Sequence, residues 1–250
     1  MALFALVYAL AVYVVFLATF VCAVAFAANL PWLPTGLDRG PAGPVGHALA
    51  VDLALLSLFA VQHSVMARRS FKQWWARWVP APMERATFVL AASLVLALLL
   101  WRWQPITQPL LWSVQAPAWR FALHALPAVG WGVALVSTYL IDHFALFGLR
   151  QPWDALRARA EPPPVFRTPL LYRHVRHPLY LGFVLAFWAA PEMTAGHALF
   201  AAANTVYILI GIAFEERDLI AQFGTRYVAY RRQVGMLLPR LGARKGAAES

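Results

Sequence analysis

Residues 2–28, ALFALVYALAVYVVFLATFVCAVAFAA, hold 27 positions without a single charge. At 1.5 Å per residue a helix over this stretch reaches about 40 Å, more than the roughly 30 Å hydrocarbon core of a bilayer. A secretory leader is the competing reading, because Ala25-Phe26-Ala27 has the small-residue look of a cleavage site. However, no Lys or Arg precedes the apolar run, and the run exceeds a leader's apolar core, so a retained membrane span is expected. The rest of the chain agrees in kind. Of its 250 residues, 61% are hydrophobic and only 13% charged, and mean hydropathy is +0.60. Soluble domains are nearer half apolar and a quarter charged, and disordered chains are far less apolar. One cysteine, Cys22, excludes a disulfide framework. Nothing near it lowers a thiol pKa, so it reads as packing.

Working outward, further apolar stretches cover Val45 to Met66, Ala86 to Trp101, Phe121 to Leu149, Leu179 to Ala190 and Ala198 to Phe214. The expected fold is therefore all-α, a polytopic membrane bundle of five to six spanning helices. The Leu179 stretch is short for a span, and with Pro191 to Gly196 as a turn it is expected to form a hairpin with the last helix. Residues 1–240 read as one domain and 241–250 as a disordered tail. The net charge of +10 raises nucleic acid, but placement points elsewhere. Three segments carry the cations: Arg68, Arg69, Lys72, Arg77 and Arg85; Arg150, Arg157, Arg159, Arg167, Arg173 and Arg176; and Arg217, Arg226, Arg231, Arg232, Arg240, Arg244 and Lys245. These eighteen face Arg39, Arg102 and Arg120 on the other side. Such asymmetry marks the cytoplasmic loops, so both termini are expected inside. Anionic lipid is the natural partner for the remaining positive charge. No basic stripe lies on a nucleic-acid reading motif, so no nucleic acid is expected.

Ionisable residues at membrane depth each require a reason. His47, Asp52, His124 and His197 fall near the outer ends and read as structural or interfacial. His63 in Gln62-His63-Ser64, the Asp142-His143 pair, His174 and His177, and the Glu215-Glu216-Arg217-Asp218 run all fall at the cytoplasmic side. One shared polar pocket there relieves the desolvation of the whole set. No zinc-protease HExxH, phosphate-binding loop, GxGxxG or GxSxG element occurs, and only His174-Val-Arg-His177 approaches a histidine-rich iron pattern. No metal site is expected.

Arg173-His174-Val175-Arg176-His177-Pro178-Leu179-Tyr180-Leu181-Gly182 resembles the RHPxYxG signature of membrane-embedded methyltransferases, among them the isoprenylcysteine carboxyl methyltransferases and phospholipid N-methyltransferases. Glu215-Glu216-Arg217-Asp218-Leu219, Phe223-Gly224, Tyr227, Tyr230-Arg231 and Leu237-Leu238-Pro239 continue the likeness over the last third. Phe59 to Arg68 and Asp142 to Gln151 are similar to the bacterial methanethiol S-methyltransferases. The resemblance implies a bacterial inner-membrane enzyme that forms dimethyl sulfide from a small volatile thiol. It further implies S-adenosylmethionine as cofactor, held by residues 166–240. On this view His174, Arg176, His177, Pro178, Tyr180, Leu181, Gly182, Glu215, Glu216, Tyr227, Tyr230 and Arg231 are the binding candidates.

Those residue types suit the task. Pro178 suits a first helical position, leaving free N–H groups before it for a carboxylate, with Arg176 adding charge. One of Glu215 and Glu216 suits ribose hydroxyls and the other an arginine. The tyrosines suit adenine or a sulfonium, or else anchor the interface. Removing the thiol proton requires a base, and His63 and His143 are the candidates, with Asp142 orienting or charging a histidine. Two readings compete. One changes the acceptor to another thiol, a prenylcysteine carboxylate or a lipid amine. The other is a haem- or metal-handling membrane protein, like the NnrU-like relatives of this superfamily.

Overall fold

The computed structural model of the chain describes residues 1–160, 163 and 165–240; the expected tail, 241–250, lies outside them. The protein is an all-α membrane bundle. Its helices are α1 (Ala2–Ala27), α2 (Val45–Ala67), α3 (Arg69–Trp75), α4 (Ala81–Arg102), α5 (Pro117–Ile141), α6 (His143–Leu146), α7 (Arg150–Leu156), α8 (Pro178–Trp188), α9 (Ala195–Phe223) and α10 (Thr225–Gln233). α1, α2, α4, α5 and α9 are long and apolar enough to cross a membrane. Their outward faces carry large apolar side chains such as Phe4, Val14, Val61 and Ile141, each at least 60% exposed. In water such a surface drives aggregation; in lipid it is the solvated face.

Three boundaries differ from the sequence reading. α4 begins five residues earlier, because Pro82 occupies one of its first two positions, where a missing N–H is harmless. The fourth apolar stretch is not one helix to Leu149: α5 ends at Ile141, where Asp142 turns out of helical geometry and its side chain accepts the Ala145 N–H to start α6. α9 continues through the Glu215–Asp218 charges to Phe223 and ends at Gly224, whose φ is +58°.

α8 is the short element, about 16 Å long at 1.5 Å per residue. The crossing is completed by extended chain. Glu192–Thr194 (β2) pairs antiparallel with Leu110–Ser113 (β1), from the loop joining α4 to α5. This two-stranded ribbon marks one end of the bundle, and the basic loops mark the other. α8 is expected to lean on the helix that follows it, yet its main partner is α5. The reason is small residues: a Cβ on Gly130 would lie 2.5 Å from the Gly182 carbonyl oxygen, and a Cβ on Gly182 2.7 Å from the Ala134 amide nitrogen. Backbone therefore packs on backbone, the usual route to tight helix contact when lipid offers no hydrophobic driving force.

At the ribbon end, Asp38 accepts hydrogen bonds from the Asn29 side chain (2.8 Å) and the Thr194 hydroxyl, with the His197 ring 3.5 Å away. Burial pushes the Asp38 carboxyl up, but the His197 and Thr194 bonds outweigh it and hold the group below the usual carboxylate range. Asp52 accepts the Gln104 N–H (3.0 Å), and His47 meets the Gln104 side chain (3.0 Å). These residues join the loops that link the helices, while Asp52 Oδ2 and His197 Nδ1 are buried without a hydrogen-bond partner.

Replacing Gly130 by Ala is expected to destabilise the detergent-solubilised protein by about 1–3 kcal/mol, the usual overpacking range. Gly132, with open space where a Cβ would stand, is its control: Gly132→Ala should be neutral or stabilising by up to about 1 kcal/mol. Thermal melts that rank the two variants the other way would show that the α5–α8 contact does not hold this seam.

Candidate active site

The basic end is organised by the chain entering and leaving α8 and α9. The segment before α8 runs beside the segment after α10: Val175 and Gly235 form a parallel bridge, Arg176 N–H donates to the Gly235 carbonyl (2.8 Å) and His177 N–H to that of Met236 (3.1 Å). His177 precedes Pro178, which starts α8 as its sequence position implies. Between these strands lies Glu216 of α9, 7% exposed. Its Oε1 accepts from Arg176 Nε (2.7 Å) and faces His177 Nε2 (3.1 Å); its Oε2 faces Arg231 Nε (3.2 Å). Arg176 also donates to the carbonyls of Arg231 (3.1 Å) and Val234. Four of the residues expected to bind cofactor are thus brought together, and their polar groups are engaged with one another. Burying one carboxylate with three basic partners answers the desolvation that a lone charge would incur.

Other expected residues keep free groups around this knot. Glu215, the next residue on α9, is exposed, sits 3.8 Å from His177 Nδ1 and bears on the Tyr180 hydroxyl. His174 is exposed. The Tyr227 hydroxyl is buried with no hydrogen-bond partner, and burial raises its pKa. Tyr230 donates to the Tyr172 carbonyl (2.6 Å) and is pushed up to about 12, chiefly by burial. Phe166 packs against both rings, with centroids 6.0 and 5.4 Å away. Leu181 is half-buried, and Gly182 is occupied by the α5 seam.

The proton-handling candidates separate. His143 is 3% exposed, stacked on Tyr139 at 4.1 Å, with Nε2 2.7 Å from the Tyr13 hydroxyl and Nδ1 2.8 Å from Thr138 Oγ1. Thr138 gives its hydroxyl hydrogen to the Leu135 carbonyl, so Nδ1 carries the proton and Nε2 accepts from Tyr13. Burial lowers the His143 pKa, which keeps the ring neutral. Asp142, adjacent in sequence, is not its partner. Because α5 ends between them, the Asp142 carboxylate turns to Arg150 and the Ala145 amide. His63 is different. Its ring lies among Phe59 (5.5 Å), Phe88 (4.8 Å) and Tyr207 (6.4 Å), and its buried Nδ1 has no partner.

Tyr207 is the contact the sequence reading missed. It sits mid-helix in α9, 3.5 Å from Ser64 Oγ, and its ring meets those of Phe59 and His63. Tyr13 and Thr138 were likewise invisible, since neither is ionised at neutral pH nor marked by spacing. Among the described residues, no three His, Cys, Asp or Glu side chains gather as metal ligands would.

Over 240 residues, 96% of the chain, it is 52% identical to methanethiol S-methyltransferase 2 of Bradyrhizobium diazoefficiens, covering 92% of that protein. The chain belongs to the methanethiol S-methyltransferase family. The Mycobacterium tuberculosis methanethiol S-methyltransferase is also 52% identical, with 94% of this chain and 95% of that one aligned. Nurim of Pan troglodytes is 30% identical over 198 residues, 75% of the chain. No protein-family model and no solved structure matches. Since methanethiol S-methyltransferases lend their name over nearly the full length, the family covers the His63 region, the His143 region and the Glu216 knot alike.

Glu216→Gln strands the buried Arg176 charge and is expected to cost about 3–5 kcal/mol, as for other broken buried pairs. Glu215→Gln, an exposed change beside it, should leave unfolding unaltered. Equal stability of both variants in a denaturant or thermal titration would remove the knot from its structural role.

Proposed function

We propose that the protein transfers a methyl group from S-adenosylmethionine to methanethiol, forming dimethyl sulfide, at the basic end of the bundle. The observation that carries this reading is alignment of 96% of the chain, at 52% identity, with a methanethiol S-methyltransferase. The available groups suit such a cofactor. An orphaned buried hydroxyl on Tyr227, an exposed carboxylate on Glu215 and the Phe166, Tyr227 and Tyr230 rings match a cation that carries hydroxyls and an aromatic base. When bound, S-adenosylmethionine supplies a methyl group on a positively charged sulfur.

In this reading Glu215 accepts hydroxyls, His174 meets the carboxylate, and Tyr180, Tyr227 and Tyr230 flank the base or the sulfonium. Arg176, His177, Glu216 and Arg231 act as positioning residues, and Pro178, Leu181 and Gly182 set where α8 starts and how it packs. Residues 166–240 are the cofactor half of one domain, 1–240. His63 is the base, because its buried Nδ1 has no partner whereas both ring nitrogens of His143 are engaged. His143 with Tyr13 and Thr138 forms the supporting wall, and Asp142 with Arg150 fixes the turn that starts α6. A dry aromatic surround strips hydration from the thiolate that His63 generates, which speeds its attack. The eighteen-to-three distribution of Lys and Arg orients the basic end and both termini toward the cytoplasm of a bacterial inner membrane.

Purified protein given methanethiol and S-adenosylmethionine should release dimethyl sulfide into the headspace; no product above a cofactor-only control would falsify the reading. His63→Ala should lower kcat by about 10²–10⁴-fold, the range for loss of general-base catalysis, with cofactor affinity retained. His143→Ala should act mainly on stability.

A further inference from the structure

Arg85 reads as one more cation of the basic loops, but its surroundings single it out. It lies in the first turns of α4, donates Nε–H to the Leu146 carbonyl (2.7 Å) and holds its guanidinium 5.0 Å from the centre of the Phe88 ring. The same ring packs against the His63 imidazole at 4.8 Å, so Arg85 and His63 share one aromatic neighbour. Gly148 makes this placement possible. It adopts a left-handed φ of +81°, and a Cβ there would lie 2.5 Å from the Ala86 amide nitrogen. The α6–α7 turn, and with it the Leu146 carbonyl, therefore closes directly onto the start of α4.

What the arrangement lacks is an anion. The neighbouring carboxylate, Glu84, pairs with Lys72 at 3.2 Å, and no ion pair includes Arg85 among the described residues. A guanidinium near membrane depth without a counter-charge is costly. One that shares the Phe88 ring with an imidazole whose buried Nδ1 has no partner suits a small polarisable anion.

We propose that Arg85 is a catalytic residue that holds the acceptor's sulfur as an anion, working with His63 on the same atom. The step balances without further reagents. The S–H bond breaks, its proton goes to His63 Nδ1, and the electron pair stays on sulfur facing the guanidinium. The inference rests on the thiol reading of the acceptor and adds the group that makes the thiol acidic enough to react.

Arg85→Met removes the charge and Arg85→Lys keeps it. In Arg85→Met, kcat/KM for methanethiol at neutral pH should fall about 10–100-fold, and the pH of half-maximal kcat/KM should rise by about one to two units, tenfold per unit. Arg85→Lys should hold that pH within about half a unit, a rescue that a purely structural role does not produce. Arg85→Met with native S-adenosylmethionine affinity and an unshifted profile overturns the proposal. Thiocyanate binding, measured by calorimetry without turnover, is the second readout: it should weaken at least tenfold in Arg85→Met, and unchanged affinity counts against the site. Should that variant not fold, the wild type decides, because thiocyanate should compete with the thiol far better than neutral acetonitrile, and equal competition overturns the proposal. A wild type that makes no dimethyl sulfide yet binds thiocyanate through Arg85 refutes the acceptor and keeps the anion site.

Discussion

A carboxylate buried in a membrane protein must be neutralised from several sides, and the basic end of this bundle is built on meeting that demand at Glu216. Its two oxygens face Arg176 and His177 from the segment before α8 and Arg231 from α10. The backbone bridge between Val175 and Gly235 follows from the same convergence. Without Glu216 the buried Arg176 guanidinium would lose its counter-charge. With it, the chain on either side of α8 and α9 is drawn together, and Glu215, one residue away and about 100° round the helix, is turned outward and exposed.

Much of the fold was legible because lipid imposes a simple rule. An uncharged run of 27 residues has few ways to satisfy its backbone other than as a helix, and α1 follows it to within one residue. What escaped was local: Asp142 interrupts an apolar run that hydropathy alone reads through to Leu149. The functional half was legible in depth but not in pairing. Topology placed His63, His143, His177 and Glu215 at one end, yet adjacency in sequence suggested an Asp142–His143 pair that the end of α5 separates. The true neighbours of His143, Tyr13 and Thr138, come from 130 residues away and from the preceding turn. Arg85 shows the opposite failure. Counted only as a topogenic charge, it is distinguished by a glycine 63 positions later that no spacing rule connects to it.

Both ends of the bundle join distant segments through polar groups. At the ribbon end, Asp38, Thr194 and His197 tie loops from distant parts of the chain into one layer. Both ends also leave buried atoms without partners: Arg39 Nε, Asp52 Oδ2 and His197 Nδ1 toward the ribbon end, and His63 Nδ1 and the Tyr227 hydroxyl toward the basic end. Satisfied polar networks hold a structure in one arrangement, and each unsatisfied buried atom requires a reason of its own.

The brevity of α8 bears on how the protein is made. Eleven residues are too few for the insertion machinery to retain as an independent span. The following six residues have polar backbone that lipid cannot satisfy; the Ala190 and Pro191 carbonyls are met instead by Trp112 and Val114 of the earlier loop. Those donors and the small-residue face of α5 are synthesised first. Translation order therefore supplies α8 with its surroundings before it leaves the ribosome, and biogenesis from the amino terminus becomes part of what makes so short a crossing feasible.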